Sequence, residues 1–594
     1  MDACRVAFAG ALMKTYRERA SREIRLERPS ATVTPIMRKL VGDSQAMLSR
    51  GPADARQRAS AARAYAIDNL EDLHVQLRGR FERRGIGYHR CATAEDAVAM
   101  VRSLLGDARR VAKSKTMVGE EIGLTHALRK DGIDVLETDI GEYIVDIEGR
   151  GPSHITAPAL HLNRARIREM LARTGADLPD DDPTRLSRHV RDVVGDFFQD
   201  CDAGITGANA VVASSGRITI VENEGNVSLG VSHPKLHIVL TGIEKVVADE
   251  AGALAILEVL APSATAQPLT SFSHFLADPL PGQQRHVVFV DNGRSRALRD
   301  PRYREVLKCV RCGACMNSCP VYRVAGGLSY GSPYMGPIGA VLAPLLWPDG
   351  RYADLPFASS LCGRCTEVCP VGIPLHRMLL DLRADAVKGH HAADLKERTA
   401  WKLWALSFGG ATRARAATAF TRVGLRSFGR TLRPPGPHRD DPRLLPDPSI
   451  DHDPELLLKA SARRSIIPES AITEALPASL PERFAHRARQ LGVDVVDACV
   501  PREGDRLVRA TAAIASTGSV LLTGDQAARR PLLAAGRVVV MVDPATVVAF
   551  PHGLAAHLGG GDALILTGAS RTADVEKIIV RGIHGAEEMV VVLG

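Results

Sequence analysis

Cys309-Val310-Arg311-Cys312-Gly313-Ala314-Cys315-Met316-Asn317-Ser318-Cys319-Pro320 is answered further along the chain by Cys362-Gly363-Arg364-Cys365-Thr366-Glu367-Val368-Cys369-Pro370. The two runs hold seven of the eleven cysteines, and both end in Cys-Pro. Two-residue spacings let three thiolates leave one tight turn and cap three corners of an iron-sulfur cubane. The cysteine before the proline enters a helix and points away from its own run, toward a second cluster. Crossed ligation follows. Cys309, Cys312 and Cys315 take Cys369 as their fourth partner, and Cys319 joins Cys362 and Cys365.

The second set is one ligand short. At full spacing back from Cys369 the missing cysteine falls at Ser359. A serine oxygen, a water, a partner residue or an absent iron each satisfies that count, so two [4Fe-4S] clusters are expected, with [3Fe-4S] open for the second. Cys-x2-Cys pairs also hold tetrahedral zinc. The doubled Cys-Pro endings and the two three-residue spacings are those of bacterial ferredoxins and favour iron-sulfur.

Cluster thiolates need a reducing compartment, and Cys4, Cys91, Cys201 and Cys499 stand apart rather than in a disulfide framework, so the expected location is the cytoplasm. The start, Met1-Asp2-Ala3-Cys4-Arg5, lacks a signal-peptide pattern. No uncharged apolar run reaches the ~18 residues of a span. The expectation is a chain without a transmembrane segment, at most in peripheral membrane contact. The net charge of +8 is local: residues 396–433 hold nine Lys or Arg against Glu397 alone, which accounts for the whole excess. That excludes a general polyanion surface, and nucleic-acid binding with it.

A length of 594 residues allows three or four domains. With aromatics at only 4%, and Ala, Gly, Val and Leu abundant, α/β layers are favoured over a β-sandwich. Residues 1–83 carry apolar positions at helical spacing, among them Val6, Ala9, Leu12 and Met13, and are expected to form a helical scaffold. Residues 84–298 alternate helix and strand: helix 94–105, strand 110–112, helix 119–130, strand 134–137, helix 186–200, then dense β-text at 205–221 and 236–247 and a strand at 286–290. This alternation predicts a parallel, helix-covered sheet. The two-cluster segment takes 299–390. Residues 391–464 join a basic helix, with Trp401, Trp404 and Phe408 near one face, to a linker in which Pro434-Pro435-Gly436-Pro437 forbids regular helix. Residues 465–594 form another α/β unit.

That last unit repeats the first. Ala213-Ser214-Ser215-Gly216-Arg217-Ile218 recurs as Ala515-Ser516-Thr517-Gly518-Ser519-Val520, Ile238-Val239-Leu240 as Val538-Val539-Val540, and Ser263-Ala264-Thr265-Ala266 as Ser570-Arg571-Thr572-Ala573. Both units end on valine-rich strands. Ordered matches at similar offsets point to duplication.

These phrases, with Met117-Val118-Gly119-Glu120-Glu121-Ile122-Gly123, Glu137 to Ile144, Asn223-Glu224-Gly225-Asn226, Gly242-Ile243-Glu244-Lys245-Val246-Val247, Asp291-Asn292-Gly293-Arg294-Ser295, Gly568 to Glu576 and Gly582-Ile583-His584-Gly585, carry a resemblance. The chain resembles a fusion of the lactate-utilisation iron-sulfur protein B with lactate-utilisation protein C, both of the LUD-domain family. The resemblance implies two LUD domains similar to the sugar-phosphate isomerase and CoA-transferase α/β fold, flanking an α-helical ferredoxin-like domain. It also implies a place in a multi-subunit system that oxidises L-lactate to pyruvate, beside a cysteine-rich A-like subunit. The protein B relatives share the three-cysteine second run, so Ser359 is an expected family trait.

Oxidising a 2-hydroxy acid requires a base, a carboxylate clamp and an electron acceptor, and iron-sulfur clusters carry single electrons. No G-x-G-x-x-G after a strand and no G-x-x-x-x-G-K-[ST] is present, so the hydride-accepting step has no motif in this chain. The expected role is therefore an electron-transfer component rather than a complete dehydrogenase. Oxidation of another acid such as glycolate, or a carrier with non-catalytic LUD scaffolds, are the alternatives. Ligands bind at strand ends in open α/β sheets. The candidates there are Glu120, Glu121, Asn223, Glu224, Glu244 and Lys245, with Ser570, Arg571, Thr572, Asp574 and His584 from the last unit.

Overall fold

The structure is a computed structural model that describes residues 15–26, 28–388, 395–408, 410, 412–413, 415, 477–569, 571–572, 580–581 and 583–593. They fall into two compact units, Met1–Arg383 with Leu476–Gly594, and Ala384–Ala475.

Among the described residues the first unit begins with the helices Tyr16–Leu26, Pro29–Arg50, Ala55–Asp68 and Leu70–Arg83. The strands up to the cysteine runs are β1 (Ile86–Cys91), β2 (Arg110–Lys113), β3 (Asp134–Glu137), β4 (Ala203–Thr206), β5 (Ala210–Val212), β6 (Ile218–Glu222), β7 (Leu236–Gly242), β8 (Val246–Val247), β9 (Phe272–Leu276) and β10 (Gln284–Val290). Beyond the linker come β11 (Asp494–Val496), β12 (Arg506–Arg509), β13 (Ala512–Ile514), β14 (Ser519–Thr523), β15 (Arg537–Val542), β16 (Val547–Val548), β17 (Ala563–Leu566), β18 (Arg571–Thr572), β19 (Val580–Arg581) and β20 (Glu588–Leu593).

The first sheet runs β1-β10-β7-β4-β2-β3, every neighbouring pair parallel. Ile238, Val239 and Leu240 of β7 and Val287, Val288 and Phe289 of β10 have no exposed surface. Unbroken apolar runs of this kind suit strands covered on both faces. A second parallel sheet runs β11-β20-β15-β12, the same succession without partners for β2 and β3. The sheets are linked by a third, β16-β13-β14-β17-β9-β6-β5-β8, in which each half of the repeat supplies four strands in mirrored order. The halves meet where β17 and β9 pair antiparallel, from Ala563 opposite Phe275 to Leu566 opposite Phe272. Arg217, fully buried, also crosses this join, donating to the carbonyls of Leu558, Gly559 and Gly561.

The repeat read from sequence holds down to single hydrogen bonds. Ala213 N donates to Val247 O and Ala515 N to Val548 O, both at 2.8 Å. Gly216 and Gly518 close the two turns at φ 76° and 67°, where glycine is favoured. One match is corrected. Ser263 to Thr265 end the helix Glu250–Thr265, whereas Arg571 follows β17, the counterpart of β9, so those two segments are not equivalent. Two expected elements are also broken. The 119–130 helix divides at Gly123 into Met117–Ile122 and Leu124–Lys130. The 236–247 strand is interrupted by a helical turn, Ile243–Lys245, which places Glu244 and Lys245 at the end of β7.

The helix Glu250–Thr265 is buried almost throughout from Gly252 to Ala264, against the helices Pro29–Arg50 and Ala55–Asp68. Its core continues into the cysteine-bearing segment, whose own elements are short: Ala314–Asn317, Pro320–Ala325, Gly336–Leu346 and Arg364–Glu367. In the second unit the helix Leu395–Phe408 spans Trp401, Trp404 and Phe408, with Leu403, Trp404 and Leu406 exposed. The linker lies outside the described residues. No described helix is long and apolar enough to cross a membrane.

Candidate iron-sulfur site and adjoining cavity

The two cysteine runs fold alike. Arg311 and Leu361 both take left-handed backbone, at φ 62° and 57°, and each is followed by a left-handed glycine, Gly313 at 75° and Gly363 at 78°. A single helical turn then starts in each, Ala314–Asn317 and Arg364–Glu367. The left-handed step turns amides inward: Arg311 N donates to Cys309 Sγ at 3.4 Å, and at the matching place Leu361 N donates to Ser359 Oγ at 3.1 Å. Ser359 therefore occupies the position of Cys309 in the second run. Tyr322 N and Ile373 N donate to Cys319 Sγ and Cys369 Sγ at 3.5 and 3.4 Å.

The thiols gather across the runs. Burial pushes Cys312 up, with Cys369 and Cys309 adding to it, and pushes Cys315 up beside Cys309, Cys312 and Cys369. Burial raises Cys365 to about 11, with Cys319 and then Cys362 adding to it. Cys315 thus neighbours Cys309, Cys312 and Cys369, and Cys365 neighbours Cys319 and Cys362. Buried thiols that repel one another as thiolates, each set receiving amide hydrogen bonds to sulfur, have the donor chemistry that cationic iron compensates, so the residues present fit iron-sulfur cores. Ser359→Cys is expected to supply a fourth thiolate to the second set. Iron counting and EPR check it: iron per chain rises if the parent holds three irons there, and the g-tensor changes if serine oxygen was the ligand. Unchanged iron and spectrum would count against a ligand position at 359.

Charge ties this loop to the first parallel sheet. Arg294, fully buried, forks onto Glu121 at 2.7 and 2.8 Å and donates through Nε to Glu244 at 2.7 Å. Tyr334 OH donates to Glu121 at 2.6 Å, and Arg311 lies 4.8 Å above the Tyr334 ring with Nη2 3.5 Å from Glu244. Burial pushes the Glu244 carboxyl up, but Arg294, then Arg311 and Lys245, outweigh it and hold the group at about 2. Burial and then Arg311 pull the Lys245 ammonium down to about 7, and its Nζ donates to Cys309 O at 3.2 Å. Arg63 donates to the carbonyls of Glu244, Val246, Leu307 and Lys308, stitching the opening helices to the same junction.

Beside this network lies a cavity of about 420 Å³. Asn223, Glu224, Glu244, Lys245, Arg571 and Thr572 line it, so six residues singled out from sequence meet in one place. Its wall also includes Val310 and Arg311 of the cluster loop. The last unit reaches the cavity through backbone pairing: Arg571 N donates to Asn223 O at 2.8 Å and His584 N to Glu224 O at 2.9 Å. Gly225 permits that approach, since a Cβ there would stand 2.5 Å from His584 O. With the Gln267 amide turned so that its oxygen faces Arg571, that oxygen accepts from Nε at 3.1 Å and Nη2 at 2.7 Å.

Other candidates go elsewhere. Glu120 pairs with Lys113 at 3.2 Å and Glu121 with Arg294, both outside the cavity wall. His584 is buried, which pulls it down to about 4 and leaves it neutral near pH 7, and its ring packs edge-on against Phe198. Ser570 and Asp574 lie outside the described residues. Sequence reasoning missed Lys115, Glu222, Arg311 and Tyr334. Only Arg311 carried a signal, as a cation inside the ligand run.

Residues 76–289 match the LUD domain family, and residues 305–373 match the 4Fe-4S dicluster domain. Lactate utilization protein B 2 of Bacillus mycoides (strain KBAB4) is 39% identical over 407 residues, 66% of this chain and 86% of its own. Lactate utilization protein B of Bacillus thuringiensis (strain Al Hakam) and of Bacillus cereus (strain AH187) match with the same figures. The chain belongs to the lactate utilization protein B family. The matched dicluster domain indicates iron-sulfur clusters, and about a third of the chain lies outside the match to these family members. A solved DUF162 family protein from Deinococcus radiodurans aligns at 17% identity over 37% of this chain and 98% of its own, at a TM-score of 0.21, too low to equate the folds.

Proposed function

We propose that this protein B family member is the iron-sulfur electron-transfer component of a complex that oxidises L-lactate to pyruvate in the cytoplasm. Cys309, Cys312, Cys315 and Cys369 hold one [4Fe-4S] cluster, and Cys319, Cys362 and Cys365 hold the second, of [4Fe-4S] or [3Fe-4S] type. The C-terminal unit is a protein C-like LUD domain joined covalently to the protein B-like part, which fixes one of each per complex. A cysteine-rich A-like subunit completes the assembly. The observation that carries the reading is that thiols of the two cysteine runs are neighbours, Cys369 of Cys315 and Cys319 of Cys365, beside a cavity lined by both α/β units.

Bound clusters supply one-electron transfer along the molecule. The chain's own residues bury Cys312, Cys315, Cys319, Cys365 and Cys369, donate amide hydrogen bonds to sulfur, and set the fixed positive charge of Arg311 next to the first set. Such charge favours the reduced, more negative form of a neighbouring redox centre.

Anaerobic purification followed by lactate addition tests the reading. Bleaching of the cluster absorbance by L-lactate once an A-like partner is present supports it, and bleaching by the protein alone would place catalysis within the chain. A colourless protein without iron or sulfide, or an assembly reduced by glycolate and not by lactate, would overturn it.

A further inference from the structure

Among the described residues that line the cavity, two carry a buried nitrogen or oxygen without a hydrogen bond: Lys115 Nζ and Arg311 Nη1. Both are cationic donors. The acids of the same wall are engaged. Glu244 is held by Arg294, Glu222 accepts from Val227 N, Ser228 N and His274, Glu224 accepts from Ile140 N at 3.2 Å, and Asp139 accepts from Glu142 N at 3.1 Å. Arg571 faces Gln267. Lys115 stands 3.2 Å from Glu142, whose carboxyl burial raises to about 8. The approach lacks hydrogen-bond geometry, and Lys115 Nζ and Glu142 Oε1 both stay without a hydrogen bond. What Lys115 Nζ and Arg311 Nη1 each lack is a hydrogen-bond acceptor, and a buried donor left unpaired is costly.

We propose that this cavity binds a small organic acid through its carboxylate, with Arg311 and Lys115 as the two contacts. The proposal rests on the function given above and names the residues that would hold that acid. The geometry joins two jobs in one loop: Arg311 stands between Cys309 and Cys312, so the residue that holds the acid belongs to the run that holds the first cluster. Arginine offers a planar fork that matches a carboxylate, which lysine at that place would not. The cavity exceeds what a three-carbon acid fills, and Leu260, Ala261 and Ala264 present apolar surface to the remainder. The site therefore sets the carboxylate and tolerates a longer apolar tail.

The test uses full-length protein purified anaerobically with its clusters, titrated calorimetrically with pyruvate, L-lactate, 2-hydroxy-4-methylpentanoate and inorganic phosphate. The carboxylates are expected to bind. Arg311→Gln and Lys115→Gln are each expected to weaken them roughly tenfold or more, with iron and sulfide content unchanged. Arg311→Lys falls between. Ala264→Phe, which fills the cavity from the helix Glu250–Thr265, is expected to abolish binding; should Arg311→Gln fail to keep its iron, this variant and Lys115→Gln decide. Iron-replete protein that binds no carboxylate, or binds phosphate instead, overturns the proposal while leaving the electron-transfer role standing. So does Arg311→Gln that alters the cluster EPR signal with carboxylate affinity intact, since the guanidinium would then serve the sulfur set alone. Protein without iron that still binds carboxylates would refute the electron-transfer role and leave this site in place.

Discussion

Cys315→Ser is expected to remove roughly half of the iron, from the set that Cys369 is proposed to close. Cys315 is buried and stands among Cys309, Cys312 and Cys369, so its loss takes one corner from a single core. Cys319 lies in the same run four residues on, yet its neighbouring thiol is Cys362. A single substitution in the first run therefore leaves the second set complete, and Cys319→Ser produces the complementary loss. Iron and sulfide assay with EPR of the reduced protein separates the two signals. Equal loss from both sets in a variant that retains its far-UV circular dichroism would disprove crossed ligation.

The second large effect falls on stability. Arg294→Met leaves Glu121 and Glu244, both buried, without the guanidinium that bridges them; Tyr334 and Asn292 still donate to Glu121, and Arg311 approaches Glu244 at 3.5 Å. Removing one member of a buried ion pair costs about 3–5 kcal/mol. The pH dependence gives the effect a signature. Glu244 is held at about 2 in the folded chain, against about 4.3 for an unperturbed glutamate. A depressed acid contributes stability that is present above the unfolded value and lost as pH falls toward the folded one. The gap between parent and variant is thus widest near neutrality and narrows between about pH 5 and pH 2. Urea unfolding across that range measures it, and a gap that stays constant would mean that Arg294 acts through packing and not through charge.

Much of this was legible in the sequence, for reasons that differ by region. The cysteine runs were readable because ligand spacing is local: the turn that presents Cys309, Cys312 and Cys315 is made by the residues between them, Gly313 above all. Alternation of apolar strands with helices carried the parallel sheet for the same reason. The copy of Ala213 to Ile218 at Ala515 to Val520 was readable because both turns need the same left-handed glycine. By contrast, Ser263 to Ala266 seemed to recur only because short runs of small residues recur by chance. Nothing local announces that β9 will pair with β17, since edge pairing is settled by the shape of two finished sheets. Glu121 and Glu244 looked alike on paper. The fold gives both to Arg294, yet brings only Glu244 to the cavity wall, because the helical turn Ile243–Lys245 interrupts the expected strand there. Lys115 escaped notice because a lysine after a strand is usually solvated, and its direction is set by elements far away in the chain.

The seam where Leu564 faces His274 makes the two α/β units one woven fabric. Neither can drift from the other without baring a row of amide and carbonyl groups to solvent. One chain keeps these units in equal number, while the weave itself decides how they face, and the cavity walls that each contributes stay in step.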